Sequence, residues 1–208
     1  MSFTSTPQST PKVSTKWLNV KVAAILTGLF VALIWVLEAL DYALPIDLDQ
    51  WGIRSWSITG IFPGFIMAPV LHADFDHLIG NTVPVMVLGF LAAMRGLRHF
   101  FTATALIILI GGLGVWLLSS PGVLTVGASG MIFGYFGYLV GRGILSRRGW
   151  DIVIAVAVII LYGSIIWGIF PSDPFISWQG HLFGFIGGLA AAWILRKKYR
   201  KPADEVAG

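Results

Sequence analysis

A serine, three of the four histidines and an asparagine are the side chains whose types and spacing could do chemistry in this 208-residue sequence. Ser129 stands in Gly127-Ala128-Ser129-Gly130, and His181 in Gly180-His181-Leu182-Phe183-Gly184. His72, His77 and Asn81 share the stretch His72-Ala73-Asp74-Phe75-Asp76-His77-Leu78-Ile79-Gly80-Asn81. A serine hydroxyl is a poor nucleophile until a base takes its proton. A neutral imidazole, with an unperturbed pKa of about 6.5, is such a base. His77 and Asn81 are spaced i, i+4, so on a helix they share one face, and paired side-chain donors there can hold an oxyanion. The set suits acyl transfer by a Ser129–His181 dyad. No carboxylate is placed for a triad: Glu38 belongs to the first apolar run, Asp151 to the opposite membrane side, and Asp173 to a loop before His181.

Each signal alone has a plainer reading. Gly-x-Ser-Gly can be a small-residue packing seam, and a lone histidine can be one satisfied by a backbone carbonyl. His72 and His77, with Asp74 and Asp76 between them, invite a metal. Five residues correspond to about 140° around a helix, unlike the i, i+4 pair of a zinc helix. Asp74 and Asp76 read instead as the N-cap and first-turn acid of a helix. No metal and no cofactor is expected.

The elements that must position these residues are membrane spans. The sequence is 56% hydrophobic and 12% charged, with mean hydropathy +0.82 and no cysteine, which excludes an ordinary soluble domain, a disulfide framework and thiolate chemistry. Apolar runs predict six transmembrane helices: Leu18–Leu44, Asp76–Met94, Phe100–Leu118, Ala128–Leu145, Ile152–Phe170 and Trp178–Leu195. The long connection Asp41–His77, with Trp51, Trp56, Phe62, Phe65 and Met67 among polar residues, suits a segment in the membrane interface. Residues 1–15, rich in Ser, Thr and Pro, read as a disordered tail, 16–199 as the six-helix domain, and 200–208 as a basic, polar tail. Thirteen of the fourteen Lys and Arg residues flank one side of these spans and Arg54 alone the other, so both termini are expected in the cytoplasm. The net charge of +4 therefore reads as topology, and nucleic acid is not expected as a partner.

In this topology Ser129, His181, His77 and Asn81 lie at one depth near the outer face, and polar side chains at membrane depth usually face the bundle interior or a wet cavity. Gly130, Gly134, Gly137 and Gly141 form one stripe and Gly180, Gly184 and Gly188 another. Such stripes let helix backbones approach closely in lipid, so packing and chemistry need not compete: the seam would bring the imidazole to the serine.

These motifs, in this order and on one membrane side, resemble the six-span rhomboid intramembrane serine proteases over nearly the whole chain. The resemblance rests on His72-x4-His77-x3-Asn81, Gly127-Ala128-Ser129-Gly130, and Gly180-His181-x2-Gly184 with Gly188. It implies an all-α rhomboid bundle in a bacterial plasma membrane. It also implies Ser129 as nucleophile, His181 as base and then acid, and His77, Asn81 and the Ser129 backbone N–H as oxyanion hole. His72 would support the first loop or the wet cavity, and Phe133, Gly127, Gly130 and Gly184 the site itself. Substrates would be single-span or multi-span membrane proteins, cut near their outer ends after lateral admission between spans two and five. Three departures stand out. The family's frequent Trp-Arg pair is replaced by Ile61-Phe62-Pro63-Gly64, a commoner alanine by Gly180, and a tyrosine that stacks on the histidine by Phe133. Two other functions are weighed: a non-catalytic rhomboid-fold binder or quality-control factor would usually lack the serine or the histidine, and a small transporter predicts mid-bilayer charges in paired broken helices.

Overall fold

The computed structural model describes residues 15–146 and 148–196. Within them the chain forms α1 (Thr15–Ala43), a two-residue strand β1 (Ile53–Arg54), a short α2 (Gly64–Met67), α3 (Phe75–Ala93), α4 (Leu97–Leu118), strand β2 (Leu124–Thr125), α5 (Ser129–Ser146), α6 (Gly149–Tyr162) and α7 (Trp178–Ile194). The expected tail at 1–15 falls, but for Thr15, outside the described residues, and so does the tail at 200–208. Asn19–Ala43, Phe75–Ala93, Leu97–Leu118 and Gly149–Ile169 are long and apolar enough to cross a membrane. The remaining long helices, α5 and α7, have 18 and 17 residues and are rich in glycine.

α5 is the axis of the molecule. Eleven of its eighteen residues are buried, and α3, α4, α6 and α7 all pack on it. The Tyr135 hydroxyl, inside this core, shares a 2.8 Å hydrogen bond with Thr104 of α4, so the buried phenol is not left without a polar partner. The two glycine stripes do face one another. A Cβ at Gly184 or Gly188 would collide with the carbonyl oxygens of Gly130 and Gly134, and one at Gly137 would lie 2.5 Å from the Phe185 carbonyl oxygen. α4 joins the same seam, because a Cβ at Gly111 would be 3.6 Å from Gly184 Cα.

The helix ends match the predicted spans to within a few residues, with one structural difference. The fifth span, expected to run Ile152–Phe170, is α-helical only to Tyr162 and continues as a 3-10 helix over Gly163–Ile169. Gly163 and Gly168 weaken helix propensity at both ends of that turn. Beside the turn that precedes Ser129, the connection between α1 and α3 is a folded unit. β1 pairs antiparallel with β2, Ile53 opposite Thr125, and Phe65 packs its ring against the bare backbone of Gly112. Phe65 is buried with Ile53, Ala68 and Val115, while Trp51, Trp56 and Phe62 stay exposed. The connection thus has one face on α4 and one open face of the composition expected at a membrane interface.

Candidate active site

Asp74 caps α3: its Oδ1 accepts from the His77 N–H at 2.7 Å, as the sequence implies, and Asp76 follows in the first turn. That cap fixes where α3 begins and so sets His77 and Asn81 one turn apart at its head. His77 is half-buried and its imidazole lies directly over Gly127, whose φ is +120°. A Cβ on Gly127 would be 2.5 Å from His77 Cε1 and 2.7 Å from Nε2. Glycine is required here twice over, by the left-handed backbone and by the ring above it. Asn81 is buried and its Nδ2 has no hydrogen-bond partner among the described residues, so a donor stands free below His77.

The turn before Ser129 is held from two sides. Gly127 N–H donates to the Ala68 carbonyl at 2.8 Å, and Ala128 N–H donates to His72 Nε2 at 3.4 Å. His72 is thus an acceptor for the turn before Ser129, with its ring centroid 5.2 Å from that of His77. It lies before α3, is 2% exposed, and is pushed down to about 4, by burial first and by His77 second. Neutral His72 is the form that can accept the Ala128 proton. Between pH 6.5 and 4 the unfolded chain binds a proton at this position that the folded chain does not, so folding loses stability as pH falls through that window, by up to about 3 kcal/mol at pH 4. The melting temperature of His72→Asn in detergent is expected to lie below wild type at pH 7.5, with the gap narrowing by pH 4.5. A gap that stays constant or widens on acidification excludes this role.

Ser129 is the first residue of α5, half-buried, and its hydroxyl has no side-chain partner among the described residues. It borders an apolar cavity of about 50 Å³ that runs between Phe65 and α4. His181 lies in the first turn of α7, whose N-cap Ser177 accepts from the Gly180 N–H at 3.2 Å. The Gly180 carbonyl is 3.4 Å from where a Gly130 Cβ would be, so the residues next to Ser129 and His181 are in backbone contact across the seam. The His181 ring stacks on Phe133, centroids 4.1 Å apart and planes 7° from parallel, and its Nδ1 is 2.9 Å from the Gly168 carbonyl oxygen. A carbonyl can only accept, so Nδ1 carries the proton of the neutral ring and Nε2 is left with its lone pair. The plain reading of a carbonyl-satisfied histidine is therefore true of one nitrogen and frees the other.

Gly168 has no counterpart in the sequence reading. Its carbonyl orients His181, and a side chain there would strike Phe133 Cζ at 2.9 Å and His181 Nδ1 at 3.1 Å. The available signal was a glycine inside the apolar run Ile165-Ile166-Trp167-Gly168-Ile169. His72 was placed only loosely by the sequence; the structure gives it a defined contact with Ala128.

A hydroxyl at a helix start, an imidazole oriented across a glycine seam and two further polar side chains at the head of a third helix are thus gathered among apolar helices. The Rhomboid domain profile matches residues 59–198, and the chain belongs to the rhomboid family. An uncharacterized protein of Mycobacterium tuberculosis is 42% identical over 206 residues, covering 95% of this chain and 83% of its own length. An uncharacterized protein of Mycobacterium leprae is 39% identical over 203 residues, covering 94% and 79%. A Bacillus subtilis protein named "Putative rhomboid protease YdcA" is 28% identical over 144 residues, covering 65% of this chain and 69% of its own. Family membership supports intramembrane proteolysis as the general function, membrane proteins as substrates and an integral membrane location.

Proposed function

We propose that this protein is an intramembrane serine endopeptidase in which Ser129 and His181 form a catalytic dyad. The observation that carries the reading is the posture of His181: Nδ1 tied to the Gly168 carbonyl at 2.9 Å, the ring clamped on Phe133, and Nε2 left as an acceptor at the Ser129 end of the seam. Ser129 Oγ attacks the scissile carbonyl while its proton passes to Nε2. His77, Asn81 and the Ser129 N–H hold the resulting oxyanion, and the unpartnered Nδ2 of Asn81 is supporting because a donor kept free needs no reorganisation. His181 then gives its proton to the leaving amine, and water hydrolyses the acyl-enzyme by the reverse relay. Phe133 supplies the stacking surface; the hydroxyl that many members carry there is not part of this relay. The missing Trp-Arg pair leaves the loop to be held by Phe65 and the β1–β2 pair.

In the proposed setting residues 16–199 cross a bacterial plasma membrane six times with both termini in the cytoplasm, and cleavage occurs near the outer face. Lateral admission of the substrate between α3 and α6 fits the loose packing of α6, which, like α1, is mostly exposed while α3 and α4 are more deeply buried. A fluorophosphonate probe tests the dyad without knowledge of the substrate. Covalent labelling of the wild type, lost in His181→Ala and in Ser129→Ala, is the expected result. No labelling of a folded wild type would sink the dyad and favour the non-catalytic binder.

A further inference from the structure

At the end of α5 remote from Ser129, a cavity of about 250 Å³ opens between the α3–α4 turn, the α5–α6 turn and the end of α7. Arg95, His99, Arg142, Ser146, Arg148 and Arg196 supply its polar wall. The only carboxylate among the described residues that pairs with this group is Asp151, which is buried, forms ion pairs with Arg95 and Arg142, and accepts from the Ser146 hydroxyl at 2.5 Å. Four guanidiniums thus face one carboxylate. Burial, then the charges of Arg142 and Arg148, push the Arg95 guanidinium below its ordinary value, which registers the crowding of like charge. Arg142 is 11% exposed, and its Nε has no partner among the described residues.

Such a wall favours an anion beside it, because Asp151 offsets only one of the four positive charges. Arginine forks match tetrahedral phosphate in a way that a lysine point charge does not. The rim is amphipathic as well. Trp150 and Trp193, close in sequence to the lining residues Arg148 and Ala192, are exposed, and the Arg196 guanidinium lies 4.7 Å from the Trp193 ring centroid. Exposed Ile144 and Ile194 continue down the adjacent helix surfaces. Aromatic rings at that level, with aliphatic side chains beyond them, suit a headgroup whose acyl chains run along the bundle. Lys197, Lys198, Arg200 and Lys201 follow directly in the sequence.

We propose that this basic cavity binds a phosphate group, carried by an anionic phospholipid or presented as free inorganic phosphate. Its occupant holds the two turns and the end of α7 together at the end of the bundle away from Ser129, and the proposal does not depend on proteolytic activity.

The test is the melting temperature of the full chain in detergent, titrated separately with inorganic phosphate at constant ionic strength, phosphatidylglycerol and phosphatidylcholine. Arg148 and Arg196 are exposed and outside the Asp151 ion pairs, so Arg148→Gln/Arg196→Gln serves as the binding-deficient variant. Phosphatidylglycerol is expected to raise the wild-type melting temperature by about 3 °C or more at saturation, and phosphatidylcholine by much less. The apparent affinity should fall about fivefold for each arginine removed. A response to phosphatidylglycerol alone assigns the lipid as source; a response to inorganic phosphate alone assigns the free anion. Equal responses to the two lipids with none to phosphate, or an unchanged response in the double variant, overturn the site. Native mass spectrometry of the wild type gives an independent readout, with phosphatidylglycerol or phosphate retained in preference to phosphatidylcholine. Should the double variant misfold, that retention decides the matter, and its absence counts against the site.

Discussion

Ser129→Ala is expected to lower cleavage of a helical membrane substrate by about 10⁴-fold or more while leaving the fold intact. The chemical reason is that Ser129 carries the hydroxyl that opens α5, whereas the neighbouring Ser177 hydroxyl is engaged as the N-cap of α7. The structural reason is that the lost hydroxyl has no side-chain partner among the described residues, so its removal breaks no hydrogen bond that holds the turn. His181→Ala should cost about as much, and the double variant little more than either, because a nucleophile and its base act as a unit and their losses do not add. Initial rates of the purified proteins on one transmembrane model substrate, with helicity checked by circular dichroism, decide it. Residual cleavage by Ser129→Ala within tenfold of the wild type would remove Ser129 from the role of nucleophile.

Gly188→Val should be nearly as damaging, through packing. A Cβ at position 188 overlaps the Gly134 carbonyl oxygen and sits 2.7 Å from the Tyr138 nitrogen and 2.8 Å from the Gly134 carbonyl carbon. All three obstacles are backbone, so no rotamer change relieves them. The helices must separate, which in a packed interior costs about 1–3 kcal/mol for the first carbon and more for a branched side chain. His181 lies seven residues earlier on the same helix, about 10 Å along its axis, so a splayed seam also carries the imidazole away from Ser129. Gly188→Ala is expected to lower the melting temperature by at least about 3 °C and activity by more than tenfold, and Gly188→Val to prevent recovery of folded protein. Gly28→Ala is the matched control: nothing lies within 4 Å of its Cβ position, and Ala is the better helix former. Equal behaviour of Gly188→Ala and Gly28→Ala would show that the seam tolerates an added carbon.

The family and most of the helix ends were legible in the sequence for a physical reason. Apolar runs of membrane length, the N-cap signature at Asp74 and the fourfold glycine spacing are local patterns, and local patterns survive in a linear text. The antiparallel pairing of Ile53 with Thr125 was not legible, because two-residue strands seventy positions apart have no period to detect. Nor was the Gly168 carbonyl that orients His181. Every residue carries a carbonyl, and only the switch from α-helix to 3-10 helix after Tyr162 decides which one is presented. The glycines of α4 went unremarked for a related reason. Gly111, Gly112 and Gly114 meet three different partners, Gly184, Phe65 and Phe183, so they form no single stripe.

The joining of β1 to β2 has a mechanical consequence. His181 is held by the packing of α7 and by the Gly168 carbonyl, whereas the turn before Ser129 is also fastened by strand pairing and the Gly127–Ala68 bond to a connection whose open face exposes Trp51, Trp56, Ile58 and Phe62. Ser129 is therefore tied both to this connection and, as the first residue of α5, to the helix seam that carries His181. A displacement of that connection relative to the helices, as in a bilayer of different thickness, reaches the turn before Ser129 first, through the strand pair and the Gly127–Ala68 bond, and His181 only through the seam. Bilayer thickness is thus a variable that acts on the Ser129 turn from outside the helix bundle.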